Sequence, residues 1–201
     1  MKFGAFAPSY NSEKFIVPFL KMLTRFVDRV VILQGSEPWE DYARQFDYGS
    51  GPDKSEELAR TFEKVEVYPA CQNYSDYNLY NQGVDLLSDC DYILRLDTDM
   101  FLTPKDFKRL LKFIEENPYD CYRVDFNKCS IEYQDSKPIR GVAVENDPIA
   151  IKKGIRFHNY LDATGTRYII DWPDWSLHHF RGEKLSTKPF NPPKELKEYF
   201  K

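Results

Sequence analysis

The sequence predicts an α/β fold built on a mostly parallel sheet. Three observations carry that expectation. In the first half, short strands alternate with helices four times; two of those strands are continuous apolar runs, as in strands buried on both faces; and turn residues punctuate the units.

Lys2 to Ala7 reads as the first strand, ended by Pro8-Ser9-Tyr10-Asn11-Ser12. Asn11 or Ser12 can cap a helix in which Phe15, Ile16, Phe19, Leu20 and Leu23 recur at helical spacing. Pro18 counts against that helix unless it lies in the first turn. Arg29 to Leu33 is the second strand, closed by Gly35-Ser36-Glu37-Pro38. The pattern from Trp39 to Arg60 is weak, and Tyr48 to Pro52 reads as a loop. Val65 to Tyr68 is a third strand, and Asp76 to Leu87 a helix with Leu79, Tyr80, Val84 and Leu87 on one face. Tyr92 to Leu96 is the fourth strand. A helix from Pro104 to Glu116 follows, with Thr103 at the cap and Pro104 in the first turn. Beyond it the texture changes: Tyr122–Phe126, Val142–Val144, Ile149–Ile151 and Arg167–Ile170 look like strands with little helix between them. The end, within 184–201, is expected as a short surface helix or a mobile tail. With no linker or repeat, residues 1–201 read as a single domain.

Composition narrows the function. Hydrophobic residues at 42% and charged residues at 30% are values of a globular chain with a real core. A net charge of −4 with interspersed signs gives no sequence-wide attraction to nucleic acid or anionic membrane, so no nucleic-acid partner is expected. No run reaches the roughly 20 apolar residues of a membrane span. The first residues are broken by Pro8 too early for a signal peptide, so the expected location is the cytoplasm of the cell or of a host cell. Asn73-Tyr74-Ser75 then matches a glycosylation pattern by chance. Cys71, Cys90, Cys121 and Cys129 form no CxxC pair and read as free, mostly buried thiols.

The most informative stretch is Asp91 to Pro104, DYILRLDTDMFLTP. A buried strand stops at two carboxylates, Asp97 and Asp99, and ligands of open α/β sheets bind beyond such C-terminal strand ends. A nearby look-alike, Asp89-Cys90-Asp91, lies at the wrong end of the strand. Two carboxylates so close repel each other, and a divalent cation, Mn²⁺ or Mg²⁺, relieves them while bridging a diphosphate. Two solvated acids in a turn would look the same alone; the strand before them favours the site.

The order of parts resembles that of GT-A fold glycosyltransferases, especially the family-2-like group and its small single-domain members. The matching stretches are FAPSYNSEKFI, RVVILQGS, YNLYNQGVDLLSDCDYILRLDTDM and RYIIDWPDWSLHHFRG. The resemblance implies a nucleotide-diphosphate sugar donor, an acceptor hydroxyl on a glycan, protein or lipid, and a base pocket lined by Pro8, Ser9 and Tyr10. Gln34 stands where many members carry Asp for the base. Asn81 would lie near ribose or phosphates, Asp97 would face ribose and metal, and Asp99 would be the main metal ligand. One of His178 and His179 would complete the metal shell, since neighbours on a strand face opposite ways. Asp162 is the first choice for the base that activates the acceptor. Asp174 is the second, its pKa expected to be raised by drying between Trp172 and Trp175. The rival readings are a non-catalytic nucleotide-sugar or carbohydrate binder and a haloacid-dehalogenase-like phosphatase, whose DxDxT signature LDTDMFLT imitates.

Overall fold

The computed structural model describes residues 1–35, 53–71, 76–134, 137–140, 146–159, 162–163, 165–172, 174–180 and 190–201. The chain runs through β1 (Phe3–Ser9), α1 (Glu13–Phe26), β2 (Arg29–Gln34), a short helix α2 (Ser55–Ala59), β3 (Val65–Pro69), α3 (Asp76–Leu86) and β4 (Tyr92–Arg95). Then come β5 (Met100–Leu102), α4 (Pro104–Glu116), β6 (Cys121–Asp125), a one-turn helix α5 (Phe126–Cys129), β7 (Ser130–Gln134) and β8 (Lys137–Arg140). The last elements are β9 (Asn146–Lys152), β10 (Phe157–Asn159), β11 (Asp162–Ala163), β12 (Arg167–Ile170) and β13 (Leu177–His179).

Seven strands form the main sheet in the order β12-β6-β9-β4-β1-β2-β3, all parallel except β9, which opposes both its neighbours. Alternation along β1 supplies two cores. Phe3, Ala5 and Ala7 pack with Phe15, Phe19 and Leu23 of α1 and with Phe107, Leu110 and Ile114 of α4, whereas Phe6 faces Leu79, Tyr80 and Val84 of α3. Helices therefore cover both faces, as the sequence predicts. A smaller sheet, β5-β13-β7-β8, stands beside the main one, with β13 antiparallel to β5 and parallel to β7.

Local chemistry explains most boundaries. Helix α1 runs through Pro18. A proline inside a helix costs about 3 kcal/mol, but Phe15, Ile16, Phe19, Leu20 and Leu23 are fully buried, at roughly 1.5–3 kcal/mol each, and outweigh it. Ser12 occupies the N-cap of α1 without capping it. Asp53 accepts the Glu13 amide at 2.8 Å instead, which frees the Ser12 hydroxyl for another partner. Thr103 does cap α4, accepting the Asp106 amide at 3.1 Å, with Pro104 in the first turn.

Residues 190–201 bring a short 3-10 turn (Lys194–Leu196) that buries Leu196 and Tyr199, and the Phe190 ring meets Phe15 at 5.3 Å between centroids. Cys90, Cys121 and Cys129 are buried and Cys71 is half-buried, all as free thiols. Burial pushes Cys90 and Cys129 up to about 11, so both stay protonated and unreactive near neutrality. No helix among the described residues is long and apolar enough to cross a membrane. The expected loop at Tyr48–Pro52, the strand at Val142–Val144 and the Asn73-Tyr74-Ser75 match lie outside the described residues.

Candidate active site

The parallel strands bring their C-terminal ends to one edge of the sheet, where Ser9 of β1 lies beside Gln34 of β2, and Gln34 beside Pro69 of β3. Past the end of β4, the chain makes the tight turn Asp97-Thr98-Asp99, closed by the Met100 amide donating to the Asp97 carbonyl at 2.9 Å. Thr98 points inward, and its hydroxyl lies 2.8 Å from that of Ser12 in a buried pair. Ser12 is bound in turn to the Tyr10 carbonyl and, through its amide, to Ser55 of α2. The acidic turn is thus pinned to the loop after β1.

The two aspartates have different surroundings. Asp97 is one-third exposed and faces the buried guanidinium of Arg95, whose Nη2 lies 3.4 Å from Oδ1 and 2.8 Å from the Tyr80 hydroxyl. Arg95 shares a face of β4 with Ile93, under α3, and stacks over the Tyr80 ring at 4.6 Å. Asp99 is nearly buried, and its Oδ1 lies 3.7 Å from Nε2 of His179. The Phe180 amide donates to the Asp99 carbonyl at 2.9 Å, which fastens the end of β13 to the turn. On the other side of the imidazole, Nδ1 lies 3.7 Å from Oε1 of Glu132 on β7. Burial works against a charged His179, but Glu132, Asp99 and Asp97 outweigh it and hold the ring above its ordinary pKa. His178 faces the opposite way: its Nδ1 lies 2.8 Å from the Tyr133 hydroxyl, with the two rings stacked in the core.

These donors suit a hard or borderline cation. One carboxylate and one imidazole converge, spaced too widely for a hydrogen bond, in surroundings negative enough to attract a proton. Among the described residues, no group of three or more His, Cys, Asp or Glu side chains is placed to hold a metal ion.

Off the C-terminal ends of β2 and β3, a cavity of about 390 Å³ is lined by Tyr10, Asn11, Gln34, Asp53, Arg60 and Tyr68, among others. Tyr10 and Gln34 line this cavity, whereas Pro8 and Ser9 are buried in β1. Asn81 clamps β10 to α3: its amide donates to the Phe157 carbonyl and accepts the Phe157 amide, both at 3.0 Å. One expectation needs correction. Asp174 is not dried between tryptophans. Its side chain is 65% exposed, and Arg109 at 2.6 Å holds its carboxyl below the usual range. Trp175 is buried and donates to the Asp106 carbonyl at 3.1 Å, and Trp172 carries Arg109 on its ring. Asp162 lies in β11, opposite Asn159 in the hairpin that Asn81 clamps. The discarded look-alike is structural: Asp89 pairs with Lys2 and Arg29, and Asp91 accepts the Lys2 amide at 2.7 Å.

Sequence reading missed Arg95, Ser12, Thr98 and Glu132. An arginine inside an apolar strand was the one available signal; the others depend on partners far away in the chain.

A mostly parallel α/β sheet with helices on both faces and an acidic turn past the C-terminal end of β4 has the architecture of the GT-A class of fold. Over residues 5–171 the chain matches the family model described as glycosyl transferase family 2, and it belongs to that family. Among solved structures it is similar to residues 1–349 of S. aureus TarS in complex with UDP, at 17% identity and a TM-score of 0.59, covering 90% of this chain and 60% of that one. The TarS complex with UDP-GlcNAc gives 16% identity and a TM-score of 0.58, covering 99% of this chain and 64% of that one. The chain thus spans less than two thirds of the length of these structures, and at such identity the likeness shows the fold alone. No curated protein matches it. Family membership sets the phosphatase reading aside: that signature belongs on a first strand, and here the motif follows β4.

Proposed function

We propose that the chain is a metal-dependent glycosyltransferase that moves a sugar from a nucleoside-diphosphate donor to a hydroxyl on a glycan, protein or lipid. The observation that carries this reading is the convergence of Asp99 and His179 at the turn that Ser12 ties to the loop after β1, whose Tyr10 lines a cavity together with Gln34. A Mn²⁺ or Mg²⁺ ion held by Asp99 and His179 would neutralise the diphosphate as it leaves. Tyr10 and Gln34 hold the base, the amide of Gln34 offering both a donor and an acceptor. Asp97, its charge balanced by Arg95, accepts hydrogen bonds from ribose. Asp162 takes the proton of the acceptor hydroxyl. TarS has been captured with UDP and UDP-GlcNAc, which makes UDP the first nucleotide to test here.

Calorimetric titration of UDP and GDP, with and without Mn²⁺, tests the reading in wild type and Asp99→Asn. Binding should be strong only with the cation in wild type and lose that dependence in the variant, whose melting temperature stays close to wild type. Variant affinities that equal those of wild type in both conditions, with metal and without, overturn the proposal. Sugar transfer measured on the same preparations should fall about 10²- to 10⁴-fold in Asp162→Asn with nucleotide affinity unchanged. Metal-dependent binding without any turnover would mark a non-catalytic binder.

A further inference from the structure

We propose that residues 190–201 form a strap that positions the candidate site through an aromatic cluster, with Phe190 and Phe200 as positioning residues. Its effect on nucleotide binding rests on the functional reading above. The three pieces of chain that meet at the site each send a phenylalanine into that cluster. Phe15 of α1 lies one turn past Ser12, the partner of Thr98. Phe101 stands in β5 just past Asp99. Phe180 follows His179 directly and donates its amide to the Asp99 carbonyl. These three rings are fully buried, with centroids 5.5–6.2 Å apart. The strap supplies the outer layer. The Phe190 ring lies 4.8 Å from Phe180 and 5.3 Å from Phe15, and the Phe200 ring 5.3 Å from Phe101 and 5.2 Å from Phe190.

Close-packed rings shift together, so an interior of this kind transmits strain. Lifting Phe190 and Phe200 removes the contacts that keep the three inner rings in one arrangement. Each inner ring is joined through a few peptide units to Ser12, Asp99 or His179, so the acidic turn then drifts from α1 and from β13. The strap is also easy to lift. Its described residues make a single 3-10 turn, and both outer rings are only partly buried. Leu196 and Tyr199 anchor it, but the buried Tyr199 hydroxyl finds no hydrogen-bond partner among the described residues, which opposes docking. Coupling of this kind is reciprocal: seating the strap favours the liganded site, and a ligand seats the strap.

Amide hydrogen exchange in the nucleotide-free protein tests the link. The readouts are the Met100 amide, which closes the acidic turn, and the Phe180 amide, which ties it to β13. In Phe190→Ala/Phe200→Ala both should exchange about tenfold faster, while the amides of β3 keep their wild-type rates. Phe190→Leu/Phe200→Leu, which retains apolar cover, should restore most of the protection. Tyr199→Phe keeps the ring, removes the unpartnered hydroxyl and should slow exchange at Met100, Phe180 and the strap alike. UDP affinity with Mn²⁺ should fall about tenfold in the Ala pair, and the ligands should slow the Tyr199 and Phe200 amides of wild type by the same factor. Uniformly faster exchange across the sheet would mark a merely structural role and overturn the proposal. So would a Tyr199→Phe protein that protects the strap but not Met100 and Phe180, the deciding result if the Ala pair fails to fold. Wild-type UDP binding indifferent to Mn²⁺ would sink the functional reading instead, and the exchange rates alone would then decide the strap.

Discussion

Two adjacent histidines show how far one residue's role depends on the face it occupies. His179 points at Asp99, and His178 points into the core at Tyr133. His179→Ala should therefore abolish the extra thermal stabilisation that Mn²⁺ adds to UDP, with little effect on the unliganded melting temperature. His178→Ala should do the reverse: it leaves the buried Tyr133 hydroxyl without that partner, a loss of about 1–3 kcal/mol, and keeps the response to the cation. Thermal melts of both variants with UDP, with and without Mn²⁺, decide it, and a reversed pattern would exchange the two roles. The sequence announced the pair but not the division of labour. The place of Asp97 and Asp99 in a turn past β4 was legible because strand end and carboxylates are contiguous. Asp174 was misread because Arg109, the partner that governs it, lies 65 positions away.

At the level of elements, the strands and helices up to α4 were legible wherever an apolar run or a helical stripe was long enough to show its period. β5, β10 and β13 have three residues each, and β7 and β8 only five and four. Pieces so short have no readable period, yet β13 carries His179. Helix α3 shows how tightly the recognisable elements fit. A Cβ built on Gly83 would come within 2.4 Å of the Phe6 ring, which is wholly buried and cannot swing aside. Alanine favours a helix over glycine by about 1 kcal/mol, but forcing α3 off β1 costs typically 1–3 kcal/mol. Gly83→Ala should lower the urea midpoint, and because Tyr80 and Asn81 ride on the same helix it should also loosen the braces on Arg95 and β10. A raised midpoint would mean that α3 has slack against the sheet.

Across the whole molecule, the candidate site lies past the C-terminal strand ends, while the opposite edge of the sheet carries a charged chain: Lys2, Asp89, Arg29 and Glu66. Hydrogen bonding from Lys2, joined by Arg29, holds the Asp89 carboxyl down at about 2. An aspartate ordinarily titrates near 4, so the folded protein binds this proton less readily than the unfolded chain. The resulting stability is complete above about pH 4 and fades as pH falls toward 2. Urea midpoints of wild type should exceed those of Asp89→Asn at pH 6, and the gap should narrow steadily below pH 4; a constant gap would place the effect outside Asp89 ionisation. The hydroxyl pair between Ser12 and Thr98 has a different kind of consequence, because it joins residues 86 positions apart. Closing so long a loop is entropically expensive and falls late in folding. Interactions made after the transition state govern how fast a protein comes apart rather than how fast it forms. Bonds across this seam therefore bear on the rate of unravelling more than on the rate of assembly, and any ligand lodged across it would act as a brake on the first without hastening the second.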